Sequence, residues 1–438
     1  MKINIFDIQN LAVAYVCLWA TAPILAYGDA YRWAAAGAMG LWAVLEMLRP
    51  GGIFARPTIP VVLTGLYIIY TVITEIVLGP DGDIVRHIQI WIMLFFLIFY
   101  ESRRHHVRSM APIFWFILAT LPMWLYSTYV GFDSFGSHAS RLLTRSSEIA
   151  RELTAEGVGG YSLVYGTVLM LPIFALLLLN VRRITPIETP AFLRNISKIP
   201  FLVPGLLAVN LVLGAAVVLR AGFSIAILLA VAALGLSLFF RKRSPIFLLF
   251  GPMAAIGGYL FIEVALIPTL TVLTPLAEGT PYYRKVLDII GTLETDQSQG
   301  TFDDRWLRYE RSANLFLSNP LFGVISVRDV GKHSAYLDTY ARYGVFVGSA
   351  FVYLLVYLPV RMMKGMRENF GLALSIFALM VLLPLVNDVF ASLGVMLFIM
   401  TPVACDLVER SRAALPTVRP RRRPLFAGRG PAVENRRA

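Results

Sequence analysis

The chain has 438 residues, of which 57% are hydrophobic and only 15% charged, and its formal net charge is +12. Soluble domains carry about 25% charged residues, so this composition excludes an ordinary soluble protein. Apolar runs of about 20 residues recur along the chain, and their length indicates a polytopic helical membrane protein, not the alternating ten-residue segments of a β-barrel.

The expected fold is all-α, a bundle of about twelve transmembrane helices. The spans fall near 11–27, 30–48, 58–78, 84–100, 111–130, 160–180, 201–219, 221–240, 246–268, 344–360, 370–387 and 389–408. The first run lacks a cleavage site followed by a soluble domain and reads as a retained helix. Cys17 and Cys405 both lie inside apolar runs, and no Cys/His pattern suggests a metal site. Most of the 39 Lys and Arg residues sit in alternate connections, such as ESRRHHVR and RKRS, and in the tail. The positive-inside rule then places both termini in the cytoplasm. Residues 1–408 form the membrane domain, and 409–438 read as a basic, disordered cytoplasmic tail whose RPRRRP can touch anionic lipid headgroups. Membrane lipids are expected partners and nucleic acid is not.

Two outer connections are long. Within about 131–159, Ser140 to Glu156 reads as a short helix with Leu142, Leu143, Ile149 and Leu153 on one side, suited to lie on the membrane surface. The second connection, about 269–343, forms a large outer loop between spans 9 and 10. Loops of that length inside a tight bundle tend to be functional.

The polar stretch Thr301–Gly344 holds the candidate chemistry. Asp303 or Asp304 can cap a helix that runs to Asn319-Pro320, where proline ends it. Arg305, Arg308 and Ser312 share one face of it. Pro320 to Gly323 is a turn. His333 follows Lys332 and precedes a second helix, on which Tyr336, Leu337 and Tyr340 continue the His333 face. Asp338 and Arg342 are spaced i, i+4 and read as a solvent-facing pair. Guanidinium groups and one imidazole suit a phosphate and a proton acceptor. The bland alternative is a solvated basic face and a structural histidine. Arg220 interrupts AAVVLRAGFSIAILL at an outer helix end, as a functional residue or as one that snorkels to the interface. Asn387-Asp388 reads as a polar hairpin turn, Glu46, Glu75 and Glu263 as boundary residues. Arg32, Arg86, Asp133 and His138 also face outward.

Three features together resemble the O-antigen ligase and O-antigen polymerase superfamily of bacterial envelope glycosyltransferases. One is Arg305…Tyr309…Asn319-Pro-Leu-Phe-Gly323, with Tyr309 where the family has Trp. Another is His333-Ser-Ala-Tyr336-Leu337…Gly344, with Ser334 where the family has Asn. The third is Arg220-Ala-Gly222 at an outer helix end. The resemblance implies glycan transfer from an undecaprenyl-diphosphate-linked donor, on the periplasmic face of the bacterial inner membrane. The acceptor hydroxyl would belong to lipid A-core (a ligase) or to another lipid-linked glycan (a polymerase), in O-antigen or exopolysaccharide synthesis. Arg220 and Arg305 would neutralise the departing diphosphate, His333 would be the base, and Tyr309 and Tyr336 would support them. Arg308 joins the phosphate site on helix-face grounds. Neither metal nor cofactor is expected. A flippase for lipid-linked sugars is the rival class, but it calls for charges deep in several spans and for two similar halves. A metal-dependent glycosyltransferase with an acidic first outer loop is disfavoured by the short Tyr27-Gly-Asp29-Ala.

Overall fold

In a computed structural model, the described residues are 5–26, 28–78, 84–134, 148–184, 201–240, 266–279, 301–325, 330–331, 333–366 and 369–413, with positions 143, 283, 286, 287 and 290. They form α1 (Ile5–Thr21), α2 (Pro23–Ala26), α3 (Asp29–Met47), α4 (Ile59–Leu78), α5 (Ile84–Arg103), α6 (Ala111–Ser134), α7 (Glu148–Ala155) and α8 (Tyr161–Ile184). There follow α9 (Leu202–Arg220), α10 (Ser224–Phe239), α11 (Leu266–Ala277), α12 (Thr301–Ser318), α13 (Ala335–Gly365), α14 (Phe370–Val386), α15 (Ala391–Val395) and α16 (Thr401–Ala413). A π-helical turn, Met396–Met400, joins the last two, and Thr401 closes it by donating its hydroxyl to the Met396 carbonyl at 2.7 Å.

The described residues form an all-helical bundle whose apolar helices suit a membrane. Among the described residues, six helical stretches are long and apolar enough to cross a bilayer, and α1, α10 and α14 are shorter apolar helices. Helices occupy the positions expected for spans 1–8 and 10–12. Most of the expected ninth span, 246–268, lies outside the described residues, as do most of the tail and Lys332. The final helix runs to Ala413, past the expected boundary at 408.

Burial separates centre from rim. The stretch Ala391–Glu409 is 94% buried and Tyr161–Val181 is 83% buried, whereas Ile59–Val77 is only 28% buried. Accordingly Ile69, Ile73 and Ile76 on α4 point outward, where lipid is as favourable a neighbour as protein. Because lipid removes the hydrophobic drive between helices, close packing and buried polar contacts must hold the centre. Asn210 on α9 donates to the Leu118 carbonyl of α6 at 3.0 Å, and Ser392 donates to the Ser162 carbonyl of α8 at 2.7 Å.

Two ends of the bundle can be told apart. At one, Glu46 is fully buried. It accepts from Gln9 at 3.1 Å, Ser102 at 2.9 Å and the Ile53 amide at 3.1 Å, and it pairs with Arg49 at 3.0 Å. Glu46 is therefore a built anchor and not a mere boundary residue. The other end gathers Thr21, Gln89, Ser162, Phe223, Asn387 and Ala391. There the Ala391 amide donates to Gln89, and Phe223 stacks on Tyr161 at 4.3 Å. This second end carries both sequence motifs.

The helix expected on the membrane surface is packed into the protein over its described part, and most of its expected first half lies outside the described residues. Glu148–Ala155 is helical, and Leu153 is fully buried in the protein core. Beyond it, the Gly159 amide donates to Thr128 of α6 at 2.8 Å, which ties the segment down.

Candidate functional site

The Asn319–Gly323 turn is inserted into a break in α13. At Gly344 the backbone adopts φ 72° and ψ −172°, so α13 divides into a short motif half and a long membrane half. Three backbone bonds cross the break. The Val345 amide donates to the Pro320 carbonyl at 2.8 Å, the Val324 amide to Ala341 at 2.9 Å, and the Ile325 amide to Arg342 at 2.9 Å. An uninterrupted helix would pair residues 341 and 345 with each other. The turn supplies the missing partners instead, which is how buried backbone groups stay satisfied.

Both glycines are required by this geometry. Gly323 and Gly344 have φ of +69° and +72°, the left-handed region that side chains disfavour. A Cβ on Gly323 would meet the Arg342 carbonyl oxygen at 2.3 Å, and one on Gly344 would meet the Leu321 carbonyl oxygen at 2.1 Å. The final Gly of each motif is thus a contact point for the other motif.

His333 hangs between two anchors. On one side, the Gly331 amide donates to Ser312 of α12 at 2.9 Å, and Gly331 lies directly under the Arg308 carbonyl. On the other, Ser334 accepts from the Leu337 amide as the N-cap of α13 and donates to the Pro384 carbonyl at 3.3 Å. The Ala335 amide donates to Asn387 at 3.1 Å. So Asn387 is the seat of the His333 segment, beyond its reading as a hairpin turn. His333 itself is half-buried.

The arginine helix is placed largely as its sequence suggests. It ends at Ser318, but it begins at Thr301, so Asp303 and Asp304 stand inside it instead of capping it. Acidic groups in a first turn still favour the helix dipole. Arg308 is exposed, Tyr309 half-buried and Ser312 buried. Arg305 lies on α12, and its side chain is outside the described residues. The helix packs on α13, which brings the Arg308 turn within two residues of His333.

One expectation is corrected. Asp338 and Arg342 do not form a solvent-facing pair, since they are only 2% and 4% exposed. Asp338 accepts from Ser312 at 2.8 Å, and Arg342 Nη1 lies 3.3 Å from His87 Nε2. Neighbouring helices cover both sides of the residue pair, and i, i+4 spacing cannot reveal that. Tyr336 is buried as well and donates to the Met380 carbonyl of α14 at 2.5 Å. It fastens α13 to α14; its hydroxyl points into the bundle.

Arg220 sits elsewhere on the same end. As the last residue of α9 it pairs with Asp133 in the final turn of α6, and both side chains are about half exposed. Helix α9 packs on α6 and α8, whereas α12 packs on α13. The link between the two regions runs through α10, which begins just after Arg220 and packs antiparallel on α14, with Gly371 against the Leu236 and Phe240 carbonyls. That arrangement puts the 221–224 turn and Asn387 at the same end.

No family model, curated protein or solved structure matches the chain.

Sequence reasoning missed His87, and it left Asn387 as a hairpin turn and Glu75 as a boundary residue. His87 Nε2 lies 2.8 Å from Glu75 Oε1 and 3.2 Å from the Tyr343 hydroxyl, beneath the break in α13. A histidine near the start of the apolar run IVRHIQIWIML was the available signal. A cavity of about 890 Å³ also opens at this end, among Trp19, Trp33, Trp91, Ile92, Arg32 and Ser162. Its walls are mostly apolar, and its volume lies within the range of small-molecule pockets.

Proposed function

We propose that the protein is a glycosyltransferase of the O-antigen ligase and polymerase kind. It moves glycan from undecaprenyl diphosphate to an acceptor sugar hydroxyl on the periplasmic face of the bacterial inner membrane. The finer architecture belongs to the same proposal: twelve spans, both termini in the cytoplasm, and the motif end outside. The observation that carries the reading is the joining of the two motifs. The Asn319–Gly323 turn fills the break at Gly344, and the resulting unit sets His333 beside the Arg308 turn of α12.

Each group then has a task. His333 accepts the proton of the acceptor hydroxyl as its oxygen attacks the anomeric carbon. The bond from that carbon to the diphosphate oxygen breaks, and the leaving diphosphate carries the negative charge away. Arg305, Arg308 and Arg220 meet that charge as it grows, which lowers the barrier where stabilisation counts most. Arg220 can exchange its exposed partner Asp133 for phosphate, because an exposed ion pair is worth only about 0–1 kcal/mol. Tyr309 flanks the arginines on α12, and Tyr336 supports the site from below by holding α13 on α14. The apolar cavity offers space for hydrocarbon at the same end.

The test is a deletion strain with its envelope glycans sized on a gel. Lipid A-core bearing a single repeat marks the loss of a polymerase. Bare lipid A-core with long lipid-linked chains accumulating marks the loss of a ligase. Wild-type surface glycan, O-antigen and exopolysaccharide alike, would sink the proposal.

A further inference from the structure

Beneath the break in α13, four polar side chains from three helices meet in a closed space. His87 is 1% exposed, Arg342 and Tyr343 are each 4% exposed, and Glu75 is nearly buried. Among the described residues, His87 faces Glu75 on α4, Arg342 and Tyr343 on α13, and its own neighbour Trp91, whose ring stacks on it at 5.9 Å. Tyr67 and Tyr70 of α4 close the far side, edge-on to the Tyr343 ring.

A single ring nitrogen stands among three partners. Nε2 is 2.8 Å from Glu75, 3.3 Å from Arg342 and 3.2 Å from Tyr343. A carboxylate only accepts and a guanidinium only donates. With a proton on Nε2 the ring donates to Glu75; without one it accepts from Arg342 or from the Tyr343 hydroxyl. Every arrangement ties α5 either to α4 or to the residues just before Gly344.

Those residues are the ones that hold the inserted turn. The Ala341 and Arg342 carbonyls receive the Val324 and Ile325 amides. A guanidinium buried this deeply is bound to its polar surroundings, since leaving them unmatched is costly. Whatever fixes the Arg342 side chain therefore fixes the peptide that carries the turn. We propose that His87, together with Glu75, is a positioning residue for the Asn319–Ile325 turn. It acts through Arg342 and Tyr343 on the backbone at the break. Its consequence for glycan transfer rests on the function proposed above, but the positioning itself does not.

The experiment is amide hydrogen exchange on the full-length protein in lipid nanodiscs, with no substrate present. His87→Ala should raise exchange of the amides of residues 323–325 about tenfold or more, the scale of losing one hydrogen bond to a charged group. Exchange in α9 should stay at the wild-type level. His87→Gln, which can still donate and accept, should restore most of the protection. Unchanged protection of 323–325 in both His87→Ala and Glu75→Gln would overturn the proposal. Should His87→Ala loosen α9 too, the isosteric Glu75→Gln decides by the same comparison. Full-length glycan in a His333→Ala strain would sink the transfer reading and leave this exchange result standing. Unchanged exchange would do the reverse.

Discussion

His333 is held through the backbone and through its neighbours: Gly331 on Ser312, Ser334 on Pro384 and Ala335 on Asn387. Replacing the imidazole leaves those bonds in place. His333→Ala should therefore insert at the wild-type level, judged by immunoblot of membranes, while glycan assembly on a gel is lost. Arg220 invites a sharper comparison, because guanidinium can grip a phosphate through two parallel bonds and an ammonium cannot. Arg220→Lys should fail to assemble glycan, and Asp133→Asn, which only frees Arg220, should not. Wild-type glycan from Arg220→Lys would return that residue to a snorkelling role. Ser312 is a different case, since its hydroxyl receives the Gly331 amide and donates to Asp338 in a buried place. Ser312→Ala should cost about 1–3 kcal/mol of stability, the range for stranding a buried polar group.

Helix α13 depends on its interruption. Gly344→Ala would place a methyl group against the Leu321 carbonyl, in a backbone conformation that alanine disfavours. A Cβ on Gly365, near the other end of the helix, meets open space. Thermal unfolding in detergent should show Gly344→Ala clearly destabilised and Gly365→Ala unchanged; equal melting of the two would dismiss the inserted turn. Much of the element pattern was legible beforehand. Apolar runs located the helices, and Asn319-Pro320 marked the end of the arginine helix because proline removes a donor and restricts its predecessor. The insertion itself was not legible. It consists of backbone bonds between residues some twenty positions apart, and no side-chain pattern encodes them. The same blindness explains Arg342 and Asp338, whose spacing reads as a local pair although α12 and α5 supply their partners. His87 and Glu75 were hidden because a buried polar residue and a boundary residue look alike in a hydropathy profile.

At the scale of the whole molecule, the question is which way the bundle faces. The end with Glu46 is built from loops rich in arginine, and Arg49, Arg103, Arg104 and Arg108 all belong to it. The motif end pairs Arg32 with Asp29 and Arg220 with Asp133, and it holds the buried cluster around His87. Basic loops are retained on the cytoplasmic side during insertion, so the motif end should face the periplasm. Cys17 and Cys405 are both buried, which leaves a clean background for labelling with a membrane-impermeant maleimide. Ser318 and His105 are exposed at opposite ends of the bundle. In intact spheroplasts Ser318→Cys should label fully and His105→Cys only after lysis. The reverse pattern would put the arginine helix and His333 in the cytoplasm. No outward-facing lipid-linked glycan could then reach them, and the proposed transfer would fall with the orientation.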